Sequence, residues 1–160
     1  MEKSYLRQVL VGICCVLVGG CASIIKGGGS QAIQLKSVPS GANCIVTDNV
    51  TGDNIASITT PNIVSLNKSR GYFKYSKYNV VCAMDNNLPQ NGIIEGYANG
   101  WYIGGNLIFG GLIGYLIVDP ATGAMWTLEP ELISVNFEDP SKSILSKATY
   151  VDNTADTKNK

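Results

Sequence analysis

Ala32-Ile33-Gln34-Leu35-Lys36-Ser37-Val38-Pro39-Ser40-Gly41-Ala42-Asn43-Cys44-Ile45-Val46-Thr47 reads as two strands around a turn. Ile33 and Leu35 fall on one face of an extended chain, and Gln34 and Lys36 on the other. Pro39-Ser40-Gly41 breaks the run, and Ala42 to Thr47 is a second. The pattern repeats downstream. Asp48-Asn49-Val50-Thr51-Gly52-Asp53-Asn54 has the self-bonding and left-handed residues of a tight connection. Short apolar pieces follow at Ile55 to Ile58, Ile63 to Leu66 and Tyr78 to Met84, with turns at Thr60-Pro61-Asn62 and Asn67 to Gly71. No window here has a 3.6-residue period, and strands about ten residues apart predict a small antiparallel sandwich or sheet.

Outward from this core, residues 85–99 are polar and turn-rich apart from Ile93-Ile94. The composition then changes. Residues 101–118 contain no charge, and Gly100 and Gly104, then Gly110 and Gly114, are each four apart. Three structures suit such a stretch: a spanning helix, a glycine-rich hairpin or short helix packed on the β-domain or dipping into a leaflet, and an ordinary buried core. No Lys or Arg occurs between Lys77 and Lys142, so the basic flanks that orient a spanning helix are missing, and the second structure is favoured. Ile133-Ser134-Val135-Asn136-Phe137 alternates as a closing strand, and residues 140–160 form a polar tail expected to be disordered. The expected fold is therefore mainly β, with an inserted glycine-rich apolar helix or hairpin, over residues 32–139.

Ahead of the domain, Lys3 and Arg7 precede an uncharged run that starts at Val9 and is too short for a confident span. A basic start, an apolar centre and a small-residue exit have the layout of a secretory signal over residues 1–20. The exit, Val18-Gly19-Gly20-Cys21, resembles the lipobox of bacterial lipoproteins. That resemblance implies cleavage before Cys21, a thioether from its thiol to diacylglycerol and acylation of its amine, with no other cofactor. More than one chain on Cys21 gives durable attachment, each buried methylene adding about 0.8 kcal/mol. Ala22 is compatible, by analogy with lipoprotein sorting, with the periplasmic face of the outer membrane. Residues 21–31, with Lys26-Gly27-Gly28-Gly29-Ser30, read as a flexible tether. They do not read as a phosphate-cradling loop, since no buried strand, following helix or Gly-Lys-Ser/Thr ending accompanies them.

Removing residues 1–20 takes away Cys14 and Cys15, and lipid occupies Cys21. Cys44 and Cys82 remain, in strand-like runs, as a disulfide in an oxidising compartment or as two small buried thiols. The same removal leaves ten Lys and Arg against eleven Asp and Glu, with no electrostatic reason to bind nucleic acid.

Two further resemblances concern the domain. Val38-Pro39-Ser40-Gly41-Ala42, the Asp48 to Gly52 connection and Thr60-Pro61 resemble the β-domains named for a Pro-Glu-Gly-Ala motif, with Ser40 standing where that motif has Glu. Such domains are non-catalytic modules of envelope proteins. Gly100-Trp101-Tyr102, Asn106-Leu107, Gly110-Gly111-Leu112-Ile113-Gly114, Asp119, Thr122-Gly123 and Met125-Trp126 resemble a signature of small enterobacterial and prophage-associated lipoproteins. That resemblance implies a membrane-tethered structural protein and supplies no reaction.

The residues offer no catalyst. Histidine is absent, which removes the commonest base and the usual zinc ligand, and no Gly-x-Ser-x-Gly elbow occurs. Asp48, Asp53, Asp85 and Asp119 all fall in turns and read as caps or solvated groups. The best surface candidate is Lys68-Ser69-Arg70-Gly71-Tyr72-Phe73-Lys74-Tyr75-Ser76-Lys77-Tyr78. Lys68, Arg70, Lys74 and Lys77 could meet anionic headgroups or an acidic envelope protein; the bland alternative is a solvated hairpin with its rings on the sheet. The expected function is a membrane-anchored envelope lipoprotein serving as a structural or interaction module. The rival is a membrane-active protein, a weak homo-oligomer, that inserts and self-associates through Trp101, Gly104, Asn106, Gly110 and Gly114.

Overall fold

The computed structural model describes residues 29–105 and 114–147. The expected signal, the tether up to Gly28 with Cys21, Asn106 and Gly110, and the tail beyond Lys147 lie outside these residues. Ten strands account for most of what is described: β1 (Ser30–Val38), β2 (Asn43–Asp48), β3 (Asn54–Thr59), β4 (Asn62–Asn67), β5 (Ser69–Gly71), β6 (Lys74–Tyr75), β7 (Lys77–Ala83), β8 (Gln90–Ala98), β9 (Trp126–Glu129) and β10 (Leu132–Asn136). Between β8 and β9 lie a short helix α1 (Gly100–Gly105), a π-helical turn (Gly114–Val118) and a second short helix α2 (Asp119–Thr122).

A three-stranded sheet, β10-β1-β4, packs on a five-stranded sheet, β3-β2-β7-β8-β9, and β5-β6 is a separate hairpin. The alternation read from Ile33 and Leu35 is the inward face of β1, where both are fully buried. Opposite them, Val46, Val80, Ile94 and Leu128 complete one core with Val64, Leu66, Ile133 and Val135 from the smaller sheet. The mainly β, predominantly antiparallel sandwich with an inserted short helix is thus the fold. One pair departs from the antiparallel expectation: β1 and β10 run parallel, Leu35 opposite Ile133 and Ser37 opposite Val135. A parallel neighbour needs a crossover rather than a hairpin. Here the chain leaves β4 at the edge of the smaller sheet, passes through β7, β8 and β9 of the other sheet, and returns as β10 on the far side of β1.

Three boundaries shift. Ser30 and Gln31, expected in the tether, belong to β1, and the Gln31 amide bonds both the carbonyl and the N–H of Leu128 across the sandwich at 2.9 and 3.0 Å. Residues 90–98, expected as turn-rich, form the interior strand β8, between β7 and β9. Its inward positions are Gly92, Ile94 and Gly96, so two of three lack the apolar side chain that would have marked a strand. Neighbouring groups occupy the space instead. A Cβ on Gly92 would lie 3.3 Å from Ile133 Cδ1, and one on Gly96 would lie 2.5 Å from Tyr75 Cβ. Residues 140–145, finally, expected in the tail, pack on the domain. The Ile144 and Ser134 backbones bond each other, Leu145 packs on the core, and Ser143 Oγ donates to Gln90 Oε1 at 2.7 Å.

Cys44 and Cys82 stand directly opposite on β2 and β7, with Cα atoms 4.1 Å apart, and form a disulfide. Both are buried among the valines of the core. The bridge closes a loop of sequence separation 38, which the chain-entropy view values at about 4 kcal/mol. Replacing both cysteines by alanine is expected to lower the unfolding free energy by about that amount, read from the urea midpoint. An unchanged midpoint would contradict it.

Candidate functional site

The strands leave one end of the sandwich with nearly all of its unusual residues. A relay of backbone hydrogen bonds assembles that end. Gly29 N–H donates to the Thr122 carbonyl (3.0 Å), Lys68 N–H to Gly29 (2.8 Å), Ser76 N–H to Lys68 (3.0 Å) and Gly96 N–H to Ser76 (3.0 Å). Four bonds thus join α2, the start of β1, both shoulders of the β5–β6 hairpin and the end of β8. Gly123 ends α2 with φ +76°, and a Cβ there would lie 2.7 Å from Ser69 Cβ. The contact between α2 and the hairpin therefore depends on a residue with no side chain in a left-handed conformation.

The hairpin tip is aromatic. Tyr72 and Phe73 pack edge to face at 4.8 Å, and the Tyr72 hydroxyl donates to the Leu116 carbonyl of the π-helical turn. Tyr72 nevertheless keeps 59 % of its surface exposed, and Ile117, in the π-helical turn that Tyr72 bonds, keeps 58 %. On the inner side, Tyr102 of α1 stacks on Tyr115 at 4.5 Å and donates its hydroxyl to the Tyr115 carbonyl at 3.0 Å. Burial, the adjacent Tyr115 and the Asp119 charge push the Tyr102 hydroxyl up to about 12.

The four cations of the hairpin segment do not form one surface. Lys68 is buried, 1 % exposed, so it is withdrawn from any contact with an anionic surface. Placing an ammonium there requires compensation inside the protein. Asp119, the other charged side chain buried to this degree among the described residues, lies at the same end, three residues before the Thr122 carbonyl that begins the relay. Arg70 pairs with Asp48 at 3.4 Å and Lys77 with Glu95 at 3.5 Å, while Lys74 is exposed. Burial works against the Asp48 charge. The N–H groups of Thr51 and Val50, with the Arg70 guanidinium, outweigh it and hold the carboxyl below its usual range. Arg70, Lys74, Phe73, Tyr75 and Val50 surround an open cavity of about 460 Å³.

The glycine positions separate. Trp101 and Gly104 lie in α1, six residues long, and Gly104 faces open space; Gly114 is buried at the start of the π-helical turn. Among the described residues no helix is long and apolar enough to cross a membrane. The aspartates do not converge either: Asp48 caps the turn after β2, Asp53 and Asp85 are exposed, and Asp119 is buried rather than solvated. No group of three His, Cys, Asp or Glu gathers among the described residues. The exposed aromatic tip and residues 114–118 form a unit that the sequence does not reveal, because the two segments lie about forty residues apart and the Tyr72–Leu116 hydrogen bond joins them across that gap.

No family model matches the chain, and neither does any curated protein or solved structure.

Two outcomes follow from this geometry. The folded protein holds the Tyr102 proton more tightly than an unfolded chain whose tyrosines titrate near 10. Stability should therefore fall as pH rises from about 10 to about 12, and Tyr102→Phe should flatten that slope in urea unfolding. An equal slope in both proteins would contradict the assignment. Lys68→Met and Asp119→Leu should each cost about 3–5 kcal/mol, and the double variant clearly less than their sum. Simple additivity would show that the two buried charges do not compensate each other.

Proposed function

We propose that this chain is a lipid-anchored protein of the bacterial envelope, serving as a non-catalytic structural or interaction module. The observation that carries the reading is the Cys44–Cys82 disulfide in the core. A buried disulfide suits export to an oxidising compartment. It also consumes both domain cysteines, so after cleavage at the lipobox-like exit Cys21 is the one left for lipid. Ala22 supports the outer membrane, periplasmic face, as the destination.

The likeness to the β-domains named for Pro-Glu-Gly-Ala draws support from position. Pro39-Ser40-Gly41 joins β1 to β2, the Asp48 to Gly52 turn joins β2 to β3, and Thr60-Pro61 joins β3 to β4. In such a module the sandwich is a rigid spacer and its loops do the recognising. The likeness of residues 100–126 to small enterobacterial and prophage-associated lipoproteins points the same way. The rival reading, insertion and self-association, draws on Gly104, exposed with open space where a Cβ would stand. Against it, among the described residues Gly104 and Gly114 belong to separate short elements and Gly114 is buried.

The intact mass of the membrane-extracted protein tests the anchor. The expected mass is the chain from Cys21 plus diacylglycerol and an acyl group, absent in Cys21→Ala, and rising by about two daltons on reduction as the disulfide takes up two hydrogens. A lipid-free, unprocessed mass would overturn it.

A further inference from the structure

We propose that the aromatic end of the sandwich docks on the bilayer surface, with the β5–β6 tip and the π-helical turn in the headgroup region and Arg70 and Lys74 beside lipid phosphates. This deepens the envelope reading and rests on membrane attachment through the segment ahead of Gly29.

Where the chain enters the fold is the first argument. Gly29 is bonded into this end through Thr122 and Lys68, and it stands eight residues after Cys21. At about 3.5 Å per residue, the tether reaches no more than about 28 Å. The aromatic end is therefore always near the lipid surface. β1 then carries the chain nine residues away, about 30 Å, to the opposite end, where the turn before β8 exposes Leu88.

Composition is the second argument. Six large apolar side chains among those described are more than half exposed, and Val50, Tyr72, Ile103 and Ile117 of these lie at the tethered end. Ile63 and Leu88 do not, and they stand apart from each other on a strand and a turn. Tyrosine at a hairpin tip suits an interface that is apolar on one side and wet on the other. The cavity between Arg70, Lys74, Phe73 and Tyr75 adds exposed Lys74 and, beside its Asp48 partner, Arg70 to the rim as groups that attract anionic headgroups.

Tethering supplies the third. A small apolar face binds a bilayer weakly from solution, but a short tether makes docking intramolecular, so modest burial suffices. The tip is also pre-positioned, because the Tyr72 hydroxyl is already bonded to Leu116 and no ordering of the loop is left to the membrane.

Depth-dependent quenching on the full chain tests this. An environment-sensitive fluorophore is placed at Ile117→Cys or at Leu88→Cys, in a Cys14→Ser/Cys15→Ser background, in vesicles of phosphatidylethanolamine and phosphatidylglycerol carrying brominated acyl chains. The Ile117 reporter should shift to the blue and be quenched several-fold more than the Leu88 reporter. Arg70→Gln/Lys74→Gln should remove the dependence of that quenching on phosphatidylglycerol. Equal quenching at both positions, or none at Ile117, would overturn the proposal. So would an Ile117 signal that shifts only with protein density, which would mean a second copy covers the face. Loss of the anchor is read separately by intact mass. A lipid-free protein still quenched at Ile117 leaves the docking inference standing while overturning the lipidation.

Discussion

Gly96 must come within van der Waals range of the β5–β6 hairpin, and much of the molecule follows from that approach. Its N–H donates to Ser76, whose own N–H donates to Lys68, whose N–H donates to Gly29. Each bond satisfies a backbone group that a strand end would otherwise leave unpaired. Together they close the end of the sandwich where β1 begins, without any regular sheet. A methyl group at position 96 would meet Tyr75 Cβ at 2.5 Å and push the hairpin outward, taking Tyr72 and its bond to Leu116 with it. The same logic holds at Gly123, which lets α2 sit against Ser69. The two ends of the sandwich consequently differ in kind. One is closed by ordinary turns, and the other by a layer of short helices and a hairpin pinned through glycines.

That layer brings two buried charges, a stacked tyrosine pair and an exposed apolar tip together. Lys68 and Asp119 are both buried at this end, where desolvation disfavours a charge that the protein does not compensate. The Tyr102–Tyr115 stack fixes the π-helical turn from inside, and Tyr72 fixes it from outside. Apolar residues such as Ile117 are therefore held in water by packing beneath them. In the proposed docking, a rigid apolar tip next to the point where the chain enters would let a lipid-anchored domain settle on a surface in one orientation.

Much of the sandwich was legible in the sequence. Ile33, Leu35, Cys44, Val46, Val80 and Cys82 alternate as inward positions, and Pro39, Gly52 and Pro61 mark the turns between them. β8 was not legible, because Gly92 and Gly96 occupy inward positions that other elements fill from above, and a period-two pattern is written in side chains. The parallel pairing of β10 was hidden for another reason. Periodicity identifies a strand's buried face and says nothing about its neighbour. At the candidate site, the density of cations between Lys68 and Lys77 was visible, but their fates were not. Lys68 turns inward, Arg70 and Lys77 meet Asp48 and Glu95, and only tertiary structure distinguishes them. Of the apolar run, the described residues form the short helix α1 and the π-helical turn, in keeping with the weak intrinsic helix propensity of glycine.

The account turns on which end of the sandwich faces lipid. Solid-state NMR of the full chain in bilayers, following proton magnetisation from lipid acyl chains into the protein, measures this directly. Signal should build first at Tyr72, Phe73, Leu116 and Ile117, and last at the Leu88 turn. Arrival at Leu88 first, or at both ends together, would contradict the orientation.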